Sequence, residues 1–204
     1  MFRSSAARAA TASSLVVQAP AIAQPSSLIE INRSRVQVRQ VRQQDRQWLP
    51  ALCELLVDGV HHGASLGFLA PMAHHVAMDY WDAVFARLGS QQALWIALES
   101  DDGPLRGCVQ LGACPHAHHR GEVRQMMVHS RSRGRGIASQ LMSRLECTAL
   151  EQGRTLLVLE TPSDSQAEAV YAHLGWQRAG EIPESASCAE GRLHASAMYY
   201  KRLR

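Results

Sequence analysis

One junction constrains the fold of this chain more than any other. The run EVRQMMV, residues 122–128, has the length and apolar content of a strand; two residues later RSRGRGIA, residues 131–138, opens a segment in which Ile137, Leu141, Leu145 and Ala149 share one helical face. A glycine at a helix start costs up to about 1 kcal/mol unless the backbone must turn sharply or approach something closely. A strand that enters a Gly-rich turn and then a helix presents free main-chain amides and the positive end of the helix dipole, which together bind an anion. Gly134 and Gly136 let a phosphate reach the backbone, and Arg131, Arg133 and Arg135 add charge at the rim.

Two common phosphate motifs do not fit. The GxxxxGK pattern of a P-loop is absent, and GRGIAS places Ser139 where a dinucleotide fingerprint has its third glycine. On these residues alone a tight connection with solvated arginines remains the alternative.

The flanking segments predict the frame. RVQVRQV (35–41) alternates as a half-buried strand, and Trp48, Leu52, Leu55, Leu56 and Val60 recur at helical spacing with Pro50 in the first turn. The loop HHGASLGF (61–68) leads to a second helix, 72–88, stopped by Gly89. QALWIALES and LRGCVQLGAC flank DDGP and predict an antiparallel hairpin. TLLVLET (155–161) is nearly all apolar and is expected at the centre of the sheet, covered on both faces. SDSQAEAVYAHLGW predicts a helix ending at Gly175, and HASAMYYKRL a last strand. The expected order is strand, two helices, three strands, helix, strand, helix, strand. That is an α/β (α+β) class, a mixed sheet with helices on its faces, forming one domain over residues 34–204.

Composition bounds the rest. Hydrophobic residues make up 46% of the 204, enough for one core, and no apolar run reaches the roughly 20 residues of a membrane span. A net charge of +3 without a dense basic stripe argues against nucleic acid as a partner. The five cysteines stand apart with no CxxC pair, which predicts reduced thiols and a cytoplasmic protein. Residues 1–33 differ in composition from the rest of the chain: Ala and Ser dominate, and Arg3 and Arg8 are the sole charges before Glu30. They read as a disordered tail or over-long start, with organelle import as the other reading.

Two spaced motifs carry a resemblance. V-x-x-R-x-x-G-x-G-I-A, from Val128 to Ala138, resembles the acyl-CoA pyrophosphate loop of the Gcn5-related N-acetyltransferase (GNAT) superfamily, and YAHLGW, from Tyr171 to Trp176, resembles that superfamily's Y-x-x-x-G-[FW] helix end. LLVDGVHHGASLGF, GEVRQMMV, LLVLET and EGRLHASAMYYKRL are further similar to the tabtoxin-resistance acetyltransferases.

The resemblance implies a GNAT fold, with a mostly antiparallel twisted sheet, and direct acetyl transfer from acetyl-CoA, without a metal, to the amine of a small amino-acid-like acceptor, a toxin or antibiotic among them. It implies a pyrophosphate cradle of Arg133, Gly134, Arg135, Gly136, Ile137 and Ala138, and a pantetheine arm held by the main chain of Met126, Met127 and Val128. Glu122 is implied in catalysis as base; read on its own it is equally a surface carboxylate. Glu160 follows an apolar strand, where a carboxylate is costly unless paired or functional, and occupies the family's aspartate position; it is expected to help handle the amine. Tyr171 is implied as acid or orienting group for the coenzyme A sulfur, against a packing role beside Ala167, Val170, Leu174 and Trp176.

His61 and His62, between the first two helices, are expected as acceptor contacts. His116, His118 and His119 lack partners at metal-ligand spacing and read as a solvated loop. A monomer or homodimer is expected. A non-catalytic acyl-CoA sensor and a protein N-acetyltransferase stay open as alternatives.

Overall fold

The DDGP turn folds as its chemistry dictates. β2 (Gln92–Leu98) and β3 (Leu105–Ala113) pair antiparallel across it, with Trp95 opposite Val109. The computed structural model describes residues 36–204, so the leader read at 1–33 lies outside the described residues. From the N-terminal side the elements are β1 (Gln37–Val41), α1 (Leu49–His61), α2 (His74–Arg87), β2, β3, β4 (Arg120–Val128), α3 (Ile137–Glu151), β5 (Leu156–Pro162), α4 (Gln166–His173), β6 (Gln177–Ser187) and β7 (Leu193–Arg202).

The seven strands form one sheet in the order β1-β2-β3-β4-β5-β7-β6. Every pairing is antiparallel except β4 with β5. Two apolar layers cover it. On one face α1 and α2 bury Leu52, Leu56, Trp81 and Phe85 against Leu94, Ile96 and Cys108. On the other, α3 buries Ile137, Leu141 and Leu145 against Trp95, Val109, Leu111 and Leu157. Each fully buried leucine contributes about 1.5–3 kcal/mol, so the helical spacing of the α3 face is what fixes that helix to the sheet.

The structure corrects the sequence-based expectations in two places. A seventh strand, β6, was not expected. It lies at the sheet edge and is exposed along most of its length, so no apolar alternation marks it, and it carries Pro183 and register shifts against β7. β5 is next to the centre, but it is not covered on both faces: Leu157, Leu159 and Thr161 are buried, Leu156 and Val158 half-buried and Glu160 exposed. Its parallel neighbour β4 diverges from it, which leaves one face open.

Candidate active site

The divergence builds the site. β4 and β5 are paired only at Arg120–Leu156, Gly121–Leu157 and Glu122–Val158. Beyond Glu122 both strands continue but the ladder between them ends, leaving a wedge whose wall is the β4 edge. A bulge in β4 reinforces the wedge. Cys108 of β3 opposes Met127 and Gln110 opposes Arg124, so Gln125 and Met126 together face the single residue Val109. Gln125 adopts φ 46, and its side-chain amide donates to the Leu66 carbonyl of the α1–α2 loop at 3.3 Å.

The bulge reverses the alternation of β4. Val123 lies in the α3-side core and Met127 in the α1/α2-side core, although four residues apart on a regular strand they would share a face. Before the bulge Glu122 and Arg124 therefore point to the α1/α2 face. After it the Met127 and Val128 side chains pack into opposite cores, and what these residues offer the wedge is main chain.

β4 leads into a 3-10 turn, Ser130–Ser132, and then to the glycine loop. Gly134 and Gly136 stand at φ 75 and 74, in the left-handed region, and Gly136 is the residue from which α3 springs. Arg131, Arg133 and Arg135 are exposed around the loop, while Ile137 is buried in the α3-side core and Ala138 half-buried. Arg133 Nε donates to the Val128 carbonyl at 3.4 Å, joining the loop to the strand end. Ile137 and Ala138 thus face the loop with the unsatisfied amides of a first helical turn.

Glu122 and Glu160 share a face of the sheet, because Glu122 opposes Val158 and Glu160 lies two residues further along β5. Glu122 Oε2 accepts from Arg124 Nη2 at 2.5 Å, and Glu160 Oε1 accepts from Ser185 Oγ of β6 at 2.9 Å. Glu160 is exposed, so the burial cost invoked for it from sequence does not arise. Beside them Gln110 donates to Tyr80 Oη at 3.0 Å and accepts from Gln92.

A roof covers part of this face. The Ala70 amide donates to the Ala189 carbonyl at 2.8 Å, and Ser65 Oγ donates to the Ser187 carbonyl at 2.7 Å and meets His194 Nε2 at 3.1 Å. The α1–α2 loop is thereby tied to the β6–β7 turn, with Ala189 buried in the α1/α2-side core.

Tyr171 is on the other side of the sheet. It is 7% exposed, with ring centroids 6.1 Å from Trp176 and 6.2 Å from Tyr199, and desolvation pushes its phenol up to about 12. His61 and His62 are exposed but engaged locally: His61 Nε2 accepts from the Met72 amide at 3.2 Å, and His62 Nδ1 lies 2.8 Å from the Asp58 carbonyl. Sequence reasoning missed Asp58, whose carboxylate accepts from both the amide and the hydroxyl of Ser130, each at 2.8 Å. An Asp in a helical run carries no local signal of a partner 72 residues away.

Burial raises the Cys53 thiol to about 11 and pushes Cys108 well above its ordinary range, so neither supplies a thiolate. Among the described residues no cluster of three or more His, Cys, Asp or Glu could hold a metal ion, and no helix is long and apolar enough to cross a membrane.

Residues 90–178 match the family model for the acetyltransferase (GNAT) domain, a span that runs from β2 through the glycine loop and α4 to the start of β6. The chain has the GNAT fold, and this part of it is similar to the acetyltransferase domain. The fold agrees across solved structures. The yncA protein of Salmonella typhimurium, solved with its cofactor acetyl-CoA, is 19% identical and superposes with a TM-score of 0.66 over 84% of this chain and 95% of that one. A ribosomal-protein-alanine N-acetyltransferase from Brucella melitensis is 20% identical, with a TM-score of 0.67 over 82% and 99%. A GNAT superfamily phosphinothricin acetyltransferase from Sinorhizobium meliloti, in complex with acetyl-CoA, is 17% identical, with a TM-score of 0.66 over 82% and 88%. One of these structures is named for a protein acceptor and another for a small molecule, so the acceptor is a property of each site and not of the fold.

Proposed function

We propose that residues 34–204 form an enzyme that moves the acetyl group of acetyl-CoA directly to the amine of a small, amino-acid-like molecule. The pantetheine arm would add to the open β4 edge through the main chain of Met127 and Val128, and the pyrophosphate would sit on Arg133, Gly134, Arg135, Gly136, Ile137 and Ala138. Aliphatic amines with a pKa of about 10.4 arrive protonated. Glu122 takes that proton; the freed nitrogen attacks the thioester carbon, the C–S bond breaks, and the leaving thiolate takes the second proton that the nitrogen sheds as the amide forms. Cys108, the thiol opposite Met127 in the ladder, is buried and protonated, which favours single displacement over an acyl-cysteine at that position. Glu160 would hold the amine from the other side of the wedge.

The observation that carries a small acceptor is the roof. A main-chain hydrogen bond between Ala70 and Ala189 ties the α1–α2 loop to the β6–β7 turn on the side of the sheet to which Glu122 points, which favours a small acceptor over an extended peptide. Similarity to the tabtoxin-resistance acetyltransferases supports a toxin or antibiotic among the acceptors, and His61 and His62 would then act by shaping the roof loop. Five scattered free cysteines fit a reducing cytoplasm. A thiol-release screen of free amino acids, β-lactam amino acids, polyamines and peptides with acetyl-CoA tests the reading. Release with amino acids and little with peptides is expected; better turnover of peptides would contradict it, and tight acetyl-CoA binding without release would mark a sensor.

A further inference from the structure

The ion pair between Glu122 and Arg124 has a second use. Two apart on β4, before the bulge, both side chains project onto the roofed face and their charged ends meet at 2.5 Å. The Arg124 side chain remains 51% exposed and spends one donor on Glu122, leaving most of its planar fork open to solvent on this face. Its other side rests on main chain: a Cβ at Gly112 would stand 3.5 Å from both Cζ and Nε of Arg124. Gln110, opposite Arg124 in the ladder, is committed to Gln92 and Tyr80 and does not compete for the fork.

A simple amine meets this pair at a disadvantage. To reach Glu122 it must displace Arg124 and leave a guanidinium with no anion in a partly roofed site. A zwitterion brings both charges one carbon apart, so the exchange is balanced: its carboxylate takes the fork of Arg124 while its ammonium takes Glu122. We propose that Arg124 is the specificity-determining residue of the acceptor site, selecting α-amino acids by their carboxylate and, in binding it, releasing Glu122 to act as base. The proposal rests on acetyl transfer being the reaction of this site.

The test compares an α-amino acid with its own carboxamide in the wild type, R124Q and R124K, reading KM for each acceptor and for acetyl-CoA. The wild type is expected to prefer the acid. R124Q should raise KM for the acid about tenfold to a hundredfold, the range of one lost charge-assisted contact, lower KM for the carboxamide, which no longer has to displace a guanidinium, and leave KM for acetyl-CoA unchanged. R124K, which keeps the charge and loses the fork, should recover part of the difference. The carboxamide reaction also serves as the control for folding. Equal changes for acid and carboxamide, or none for either, would overturn the role of Arg124 with acetyl transfer intact. No thiol release from the wild type with any amine would overturn acetyl transfer and the proposal together.

Discussion

Asp58 of α1 holds Ser130 by both its amide and its hydroxyl, each at 2.8 Å, and so ties the first helix to the turn that leads from β4 into the glycine loop. Burial acts to raise the Asp58 carboxyl, but the Ser130 hydrogen bonds and the neighbouring His129 and His62 outweigh it and hold the group below its ordinary 3.8. A carboxyl held low contributes stability that is complete above its unfolded value and is lost as pH falls through the folded one. Asp58→Asn should therefore destabilise the protein by about 1–3 kcal/mol near neutrality. Urea titrations should show the gap to wild type closing only once the pH drops below 3.8. Because the turn positions the cofactor loop, KM for acetyl-CoA should rise while KM for the acceptor holds.

Gly134 separates a folding cost from a binding cost. At φ 75 an alanine is strained, by about 1–2 kcal/mol, yet its Cβ would meet no protein atom within 4 Å. Gly134→Ala should lower stability by no more than that strain. Calorimetric titration should show weaker acetyl-CoA binding by about tenfold or more, the scale of one lost charge-assisted hydrogen bond. Unchanged affinity would remove the pyrophosphate from this loop.

Tyr171 should matter less to chemistry than its motif suggests. A phenol raised to about 12 by desolvation keeps its proton at any working pH, and a thiolate with a conjugate acid near 8.5 has little need of so weak an acid. Tyr171→Phe is expected to reduce kcat by less than about tenfold, below the usual range for a lost general acid. Tyr171→Ala, which empties a core position beside Trp176 and Tyr199, should cost about 3–5 kcal/mol of stability. Since the folded value lies above the unfolded one, the phenol's effect on stability is flat below pH 10 and turns unfavourable between there and about 12.

How much of the molecule is legible in its sequence depends on where the information sits. Periodicity is local, so α1, α2, α3 and the β2–β3 hairpin could be read from spacing and from DDGP. Glu122 and the glycine loop are adjacent in the chain, and their relation survived as a motif. β6 escaped because an exposed edge strand buries too little to leave a pattern, and the openness of one β5 face depends on where β4 departs from it, which is set by pairing rather than composition. The bulge at Gln125 shifts every later side chain of β4 to the opposite face, yet the only trace in EVRQMMV is that polar Arg124 and Gln125 stand side by side. Asp58–Ser130 and the Ser65–Ser187 tie join residues distant in sequence and had no local signature.

The central claim is that Glu122 takes the proton from an amine attacking acetyl-CoA. It is tested most directly by the pH dependence of thiol release in the wild type and Glu122→Gln at saturating acetyl-CoA. The account predicts unchanged coenzyme A affinity and turnover reduced about 10²–10⁴-fold near neutrality, the usual contribution of a general base. The deficit should shrink as pH approaches the pKa of the amine, where the acceptor arrives already neutral. Turnover equal to wild type at every pH would contradict it.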